Sequence, residues 1–188
     1  YDHPVYQLLM QGANEVAEGL DNCELIFADG KNDATTQASQ IDNFIAQDVD
    51  AIILTAAVSD PMLPSVKKIN DAGIPLIVVD RRLQKQGQNV TWDCYVTWDM
   101  VLSGTQGAEQ TIEALGGPGN AKGKVVVVEG TAGAGSTIDR GGAYYSKLEE
   151  EKGIEVIYKV DGDFDRTKGM EVTETILQRY PNKGDFDV

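Results

Sequence analysis

The segment that most constrains this chain is residues 74–82, Ile-Pro-Leu-Ile-Val-Val-Asp-Arg-Arg. Its aliphatic residues follow one another without alternation, the pattern of a strand buried on both faces and hence of a parallel sheet. An acid and two bases come straight after, at the strand's carboxyl end. In open α/β sheets that edge is where ligands bind. Asp80 is placed there as an acceptor and Arg81 as a fork of donors. The same residues also suit a solvated strand terminus with a surface ion pair, and the segment alone leaves both readings open.

Alternation of strand and helix extends on either side. Behind Pro4, the apolar residues Val5, Leu8, Leu9, Val16, Ala17 and Leu20 recur at helical spacing and predict an amphipathic helix to about residue 20. A short strand is expected over 23–28, a capping loop over 30–33, and a helix over 34–47 with Ile41, Phe44 and Ile45 turned inward. Next come a strand over 51–54 and a helix that Ser59-Asp60-Pro61 opens and Gly73 closes. Beyond residue 82 the pattern predicts strands over 95–97, 124–129 and 154–160. Helices are expected over 100–115, 137–152 and 166–180, with a glycine-rich loop over 116–123 and a new strand beginning at Asp185. Short connections between such elements predict parallel βαβ units and doubly wound sheets. Only the first helix has no strand ahead of it, although the first strand of such a lobe usually lies inside the sheet. The chain therefore reads as part of a longer protein, truncated at both ends.

A length of 188 residues accommodates one ordinary domain or two small ones. The formal net charge of −14 argues against nucleic-acid binding, which demands a basic face. No apolar run reaches the length of a membrane span, and no signal peptide stands at the start as given. Cys23 and Cys94 lack metal-ligand spacing; a disulfide is open to them, but buried free thiols are the favoured reading.

Motif by motif, catalysis finds little support. Gly130-Thr-Ala-Gly-Ala-Gly-Ser136 sits between a strand and a helix, as a phosphate cradle would, but lacks the P-loop lysine and the dinucleotide spacing. It reads better as a loop shaping another ligand's pocket. Asp161-Gly-Asp-Phe-Asp165 begins like a calcium loop, yet Arg166 and Val172 stand where that loop needs Gly and Glu. His3 is the single histidine, a residue whose usual role is structural, and no serine or cysteine has a triad partner. What remains is a set on strand–helix junctions: His3, Tyr6, Thr55, Asp80, Arg81, Trp98, Arg140 and Phe164, with Arg166 beside it. Guanidinium and carboxylate groups give strong paired hydrogen bonds to hydroxyls, and aromatic faces pack on C–H surfaces. The set therefore suits an uncharged polyhydroxylated ligand and contains no acid/base pair.

Residues 43–54, 72–81, 129–141 and 163–169 together resemble the sugar-binding solute receptors of bacterial ABC importers, the ribose-binding-protein type of periplasmic binding protein. The ordered pieces Gly-Ile-Pro…Asp-Arg and Asp-Phe-Asp-Arg carry the resemblance, which covers nearly the whole chain. It implies an α/β fold of two doubly wound lobes joined by a hinge, residues 1–98 and 99–188, closing over a monosaccharide or polyol. By position it implies that Asp80, Arg81 and Arg140 bond sugar hydroxyls, that Phe164 stacks on the ring, and that Tyr6 packs on the opposite face. It further implies a monomer with no cofactor and a signal peptide ahead of Tyr1. Such a protein is periplasmic or extracellular, free or lipid-anchored, and delivers cargo to ABC transporter membrane subunits. The alternative is a sugar-effector domain of a transcription regulator or membrane sensor. Two departures bear on which sugar is bound: His3-Pro4-Val5-Tyr6 replaces the family's frequent Asn-Pro-Phe-Phe, and Thr55 stands where ribose binders carry asparagine.

Overall fold

A computed structural model describes residues 3–84 and 89–188. Helix α1 (Pro4–Ala17) is capped by His3, whose Nδ1 accepts from the Val5 amide, and has Pro4 in its first turn. Helix α2 (Ala34–Ala46) is capped by Asp33, which accepts from the Thr36 amide; that hydrogen bond holds the Asp33 carboxyl below its ordinary pKa. Strand β1 (Ile52–Leu54) leads through a 3₁₀ turn (Asp60–Met62) to α3 (Leu63–Asp71), β2 (Leu76–Val79) and β3 (Cys94–Val96). These strands form a parallel sheet in the order β1-β2-β3, with Leu54 beside Val78 and Val79 beside Val96.

The remaining elements are α4 (Met100–Ala114), β4 (Lys122–Glu129), α5 (Gly135–Leu148), β5 (Gly153–Asp161) and α6 (Arg166–Arg179). Strands β4 and β5 pair in parallel as a second sheet. Asp187 and Val188 lie along the other side of β4, bonded to Lys124 and Val126, in keeping with the strand expected to start there. The molecule is thus an α/β structure of two parallel-sheet lobes.

Each lobe has its own apolar centre. In the first, Leu76 and Val78 of β2 meet Ile52 and Leu54 of β1, Ile41 of α2, and Met62, Leu63, Val66 and Ile69 around α3. In the second, Ala108 and Ile112 of α4 pack with Leu148 of α5 and with Ile154 and Val156 of β5. Helix α4 approaches α5 so closely at Gly104 that a side chain there would overlap the Arg140 carbonyl. Only glycine fits that crossing.

Several expectations are corrected. Residues 23–28 form no ladder: β1 is the outermost paired strand among the described residues, and no neighbour offers them backbone groups. The apolar face of α1 is correspondingly uncovered, with Leu8 67% and Val16 66% exposed. Strand β2 is fully buried on one face and only half-buried on the other. Cys23 and Cys94 are free as expected but exposed, Cys23 on the unpaired segment and Cys94 on the sheet's edge strand. Ser59 does not cap the turn that follows it; its hydroxyl accepts from the Gln84 amide.

The α3–β2 packing sets a testable magnitude. Ile69 has no exposed surface, so Ile69→Ala should lower unfolding free energy by about 2–5 kcal/mol. A chemical-denaturation midpoint unchanged from the parent would contradict the core described.

A candidate ligand cleft between the lobes

Where β2 ends, the backbone turns sharply. The Arg81 amide donates to the Val79 carbonyl at 2.8 Å, and Asp80 between them takes a left-handed φ of 65°. That conformation costs a non-glycine residue about 1–3 kcal/mol, though aspartate tolerates it better than most. Surrounding bonds hold it. The Asp80 amide donates to the Val96 carbonyl, and the Asp80 carbonyl accepts from the Tyr95 hydroxyl at 3.0 Å and the Thr97 hydroxyl at 2.9 Å. Burial pushes the Tyr95 phenol up, so it stays a donor. The turn aims two consecutive charged side chains away from the sheet edge.

Both are nearly sealed from water. Arg81 is 3% exposed and Asp80 7%, which removes the solvated-terminus reading of this segment. The Arg81 Nη1 donates to Asn32 Oδ1 at 2.6 Å and to the Ala57 carbonyl at 2.8 Å, while its Nε lies 3.9 Å from Asp80 Oδ2. The same carboxylate oxygen accepts from the Tyr6 hydroxyl at 2.9 Å. The guanidinium carbon stands 6.0 Å from the Tyr6 ring centre and 5.1 Å from that of Phe164. A buried cation is tolerated only when paired and hydrogen-bonded, and these contacts meet that requirement.

Phe164 comes from the second lobe. It follows β5 in a loop where Asp163 and Phe164 have left-handed φ values of 55° and 53°. Its ring lies against Gly130, where any β-carbon would overlap it. Arg140, one turn into α5, places its guanidinium 5.4 Å from the same ring. Asn32 ties the lobes directly: while accepting from Arg81 it donates to the Thr131 hydroxyl at 2.9 Å, and Thr131 in turn donates to the Asp163 carbonyl. From Phe164 and Arg140 a cavity of about 490 Å³ runs along β4 past Thr137, Tyr144 and Tyr145. Tyr145 donates to Glu129 on its wall, and burial raises the phenol's pKa.

The residues singled out in the sequence thus separate into groups. Tyr6, Asp80, Arg81, Arg140 and Phe164 converge, drawn from both lobes. His3 sits beside Tyr6, ring centres 5.4 Å apart, and caps α1. Thr55 is half-buried after β1, its carbonyl accepting from Gln37. Trp98 is 48% exposed between β3 and α4, away from the residues that converge. Sequence reasoning missed Asn32 and Thr131. Short polar side chains in loops carry little signal, and the lone hint was Asn32's place just ahead of the α2 cap. The loop over 130–136, read as shaping a pocket, does abut the cluster through Gly130 and Thr131.

A carboxylate, guanidinium groups and aromatic faces are thus brought together from two α/β lobes. The chain belongs to the periplasmic binding protein domain family, whose model matches residues 1–188. It is 31% identical over 182 residues to the ribose import binding protein of Bacillus subtilis (strain 168), covering 96% of this chain and 56% of that one. The crystal structure of a galactofuranose binding protein superposes with a TM-score of 0.75 at 30% identity, over 82% of this chain and 51% of that chain. A fructose binding periplasmic domain of a hybrid two-component system shares the fold, with a TM-score of 0.86 at 22% identity over 96% of this chain and 58% of its own. The chain spans little more than half the length of these relatives.

Arg81 gives the site its own structural test. Arg81→Met keeps most of the side chain's length but strands Asn32 Oδ1 and the Ala57 carbonyl, so stability should fall by about 2–4 kcal/mol. Urea titration measures this; a neutral outcome would mean that the buried bonds are not formed.

Proposed function

We propose that this protein is a receptor that binds a monosaccharide or polyol between its lobes and delivers it to the membrane subunits of an ABC transporter. The observation that carries the reading is the Arg81–Phe164 contact, which joins a buried hydrogen-bonding group of one lobe to an aromatic face of the other. A ligand held in the cleft beside this contact touches both lobes only when they are closed, so binding shifts the population toward the closed form. The reading assigns residues 1–98 to the first lobe and 99–188 to the second, with the hinge following β3.

In this reading Asp80, Arg81 and Arg140 bond ligand hydroxyls. Phe164 and Tyr6 flank the ring, with His3, Thr55 and Trp98 at the margins of the site. The Tyr6 hydroxyl already occupies Asp80 Oδ2, which leaves Oδ1 to accept from the ligand. The family's solute receptors, and relatives named for ribose and galactofuranose, support the sugar class. Work as a monomeric receptor rather than an enzyme, at the periplasmic or extracellular face, is part of the same proposal.

A thermal-shift panel of pentoses, hexoses and inositols on the intact protein tests it. A ligand that binds only the folded state stabilises it by ~2.7 kcal/mol at a hundredfold excess over its dissociation constant. We expect a shift with one or a few related sugars, abolished in Phe164→Ala. A flat panel would sink the sugar reading.

A further inference from the structure

The lobes also meet at a patch that contributes nothing to the proposed ligand contacts. Arg82 follows Arg81 in sequence, yet its guanidinium reaches the second lobe, where Nε and Nη2 both donate to the carboxylate of Asp139, the latter bond at 2.6 Å to Oδ1. The pair is half-buried, with side-chain exposures of 31% and 20%. The hydrogen bond to Asp139 raises the Arg82 pKa. Among the described residues each side chain spends its hydrogen bonds on the other. Close backbone contact surrounds them. The Ser59 amide donates across the gap to the Gly133 carbonyl at 3.0 Å. Gly135 lies so near the Arg82 backbone that any β-carbon would collide with it.

We infer that Arg82 and Asp139 are positioning residues for closure: an ion-pair clasp, outside the ligand contacts, that favours the closed arrangement before any ligand arrives. The inference rests on the closing-receptor reading. Its physical basis is that the bidentate pair forms only when Gly133 and Gly135 reach Ser59 and Arg82, so its energy counts toward the closed form alone. Apparent affinity scales with the fraction of receptor already in the binding-competent form. Loss of the clasp therefore weakens every ligand by one common factor and leaves their rank order intact, whereas loss of a ligand contact reorders them. The tyrosine facing the pair, Tyr95, is bonded to the Asp80 carbonyl and takes no share in the fork.

The test is small-angle X-ray scattering of the intact protein without ligand, on the parent, Asp139→Asn, Arg82→Lys, and the swapped double variant Arg82→Asp with Asp139→Arg. We expect a larger radius of gyration in Asp139→Asn and a partial return in the swap. The parent should open as salt rises from ~0.02 to ~0.5 M, where screening shortens from tens of ångströms to a few, while Asp139→Asn stays unresponsive. Arg82→Lys, which keeps the charge but loses the fork, should fall between parent and Asp139→Asn. For any sugar that responds in the panel, Asp139→Asn should weaken binding about fivefold, equally across ligands. Unchanged scattering in Asp139→Asn, with circular dichroism matching the parent, would overturn the clasp. A flat sugar panel with the scattering changes intact would remove the ligand reading and leave the clasp standing.

Discussion

One buried cation orders the site. Arg81 has almost no contact with water, and an isolated charge in that position would be strongly unfavourable. Asp80 supplies the opposite charge, and the remaining contacts draw in parts of the chain far apart in sequence. Tyr6 comes from α1, Asn32 from the loop before α2, the Ala57 carbonyl from the loop after β1, and Phe164 from the other lobe. None of these segments is adjacent to β2 in the chain. Each meets the guanidinium or its Asp80 neighbour there, and the left-handed turn at Asp80 directs the guanidinium toward them.

This explains what was legible from the residues alone. Strand β2 announces itself by an unbroken aliphatic run, and its position fixes Asp80 and Arg81 at the sheet edge before any fold is known. The cap in the loop over 30–33 is local, the Asp33 side chain bonding an amide three residues on; Asp99 and Asp165 cap α4 and α6 in the same way, though the sequence reading did not single them out. The parallel pairing of β1 with β2 follows from the same alternation through α3, whereas β3 joins β2 in parallel with no helix between them among the described residues. Residues 23–28 look like a strand by composition, but a strand is a relation between two segments, and the second is not given by the first. Asn32 and Thr131 were hidden for a related reason. Their importance comes from a meeting across the cleft, and nothing in either loop's sequence records it.

The glycines of the loop over 130–136 illustrate a subtler ambiguity. Glycine serves a chain by adopting left-handed backbone or by letting other atoms come close. A phosphate cradle uses both properties, which is why the loop suggests one. Here Gly133 has a left-handed φ of 77°, whereas Gly130 and Gly135 are needed for proximity, one to the Phe164 ring and the other to the Arg82 backbone. The glycine-rich loop between β4 and α5 is a surface on which the other lobe and the aromatic ring can rest.

Adjacent residues consequently divide their tasks. At the end of β2, Asp80 and Arg81 are sealed into the cleft while Arg82, one residue later, turns out to the second lobe. In α5 the same division recurs, with Asp139 bonded to Arg82 and Arg140 beside Phe164. A one-residue step rotates a helical side chain by about 100°, so neighbours on α5 necessarily face different surroundings, and the sharp turn at Asp80 achieves the same separation at the strand end. In the proposed reading, ligand contact and lobe contact are therefore built from two short sequence pieces rather than from separate regions. In the proposed receptor, a substitution at Arg81 or Arg140 alters what is recognised, and one at Arg82 or Asp139 alters how readily the recognising geometry forms. Because the two pieces are held by one strand end and one helix start, closure aligns the ligand groups as it forms the clasp, and neither event is free of the other.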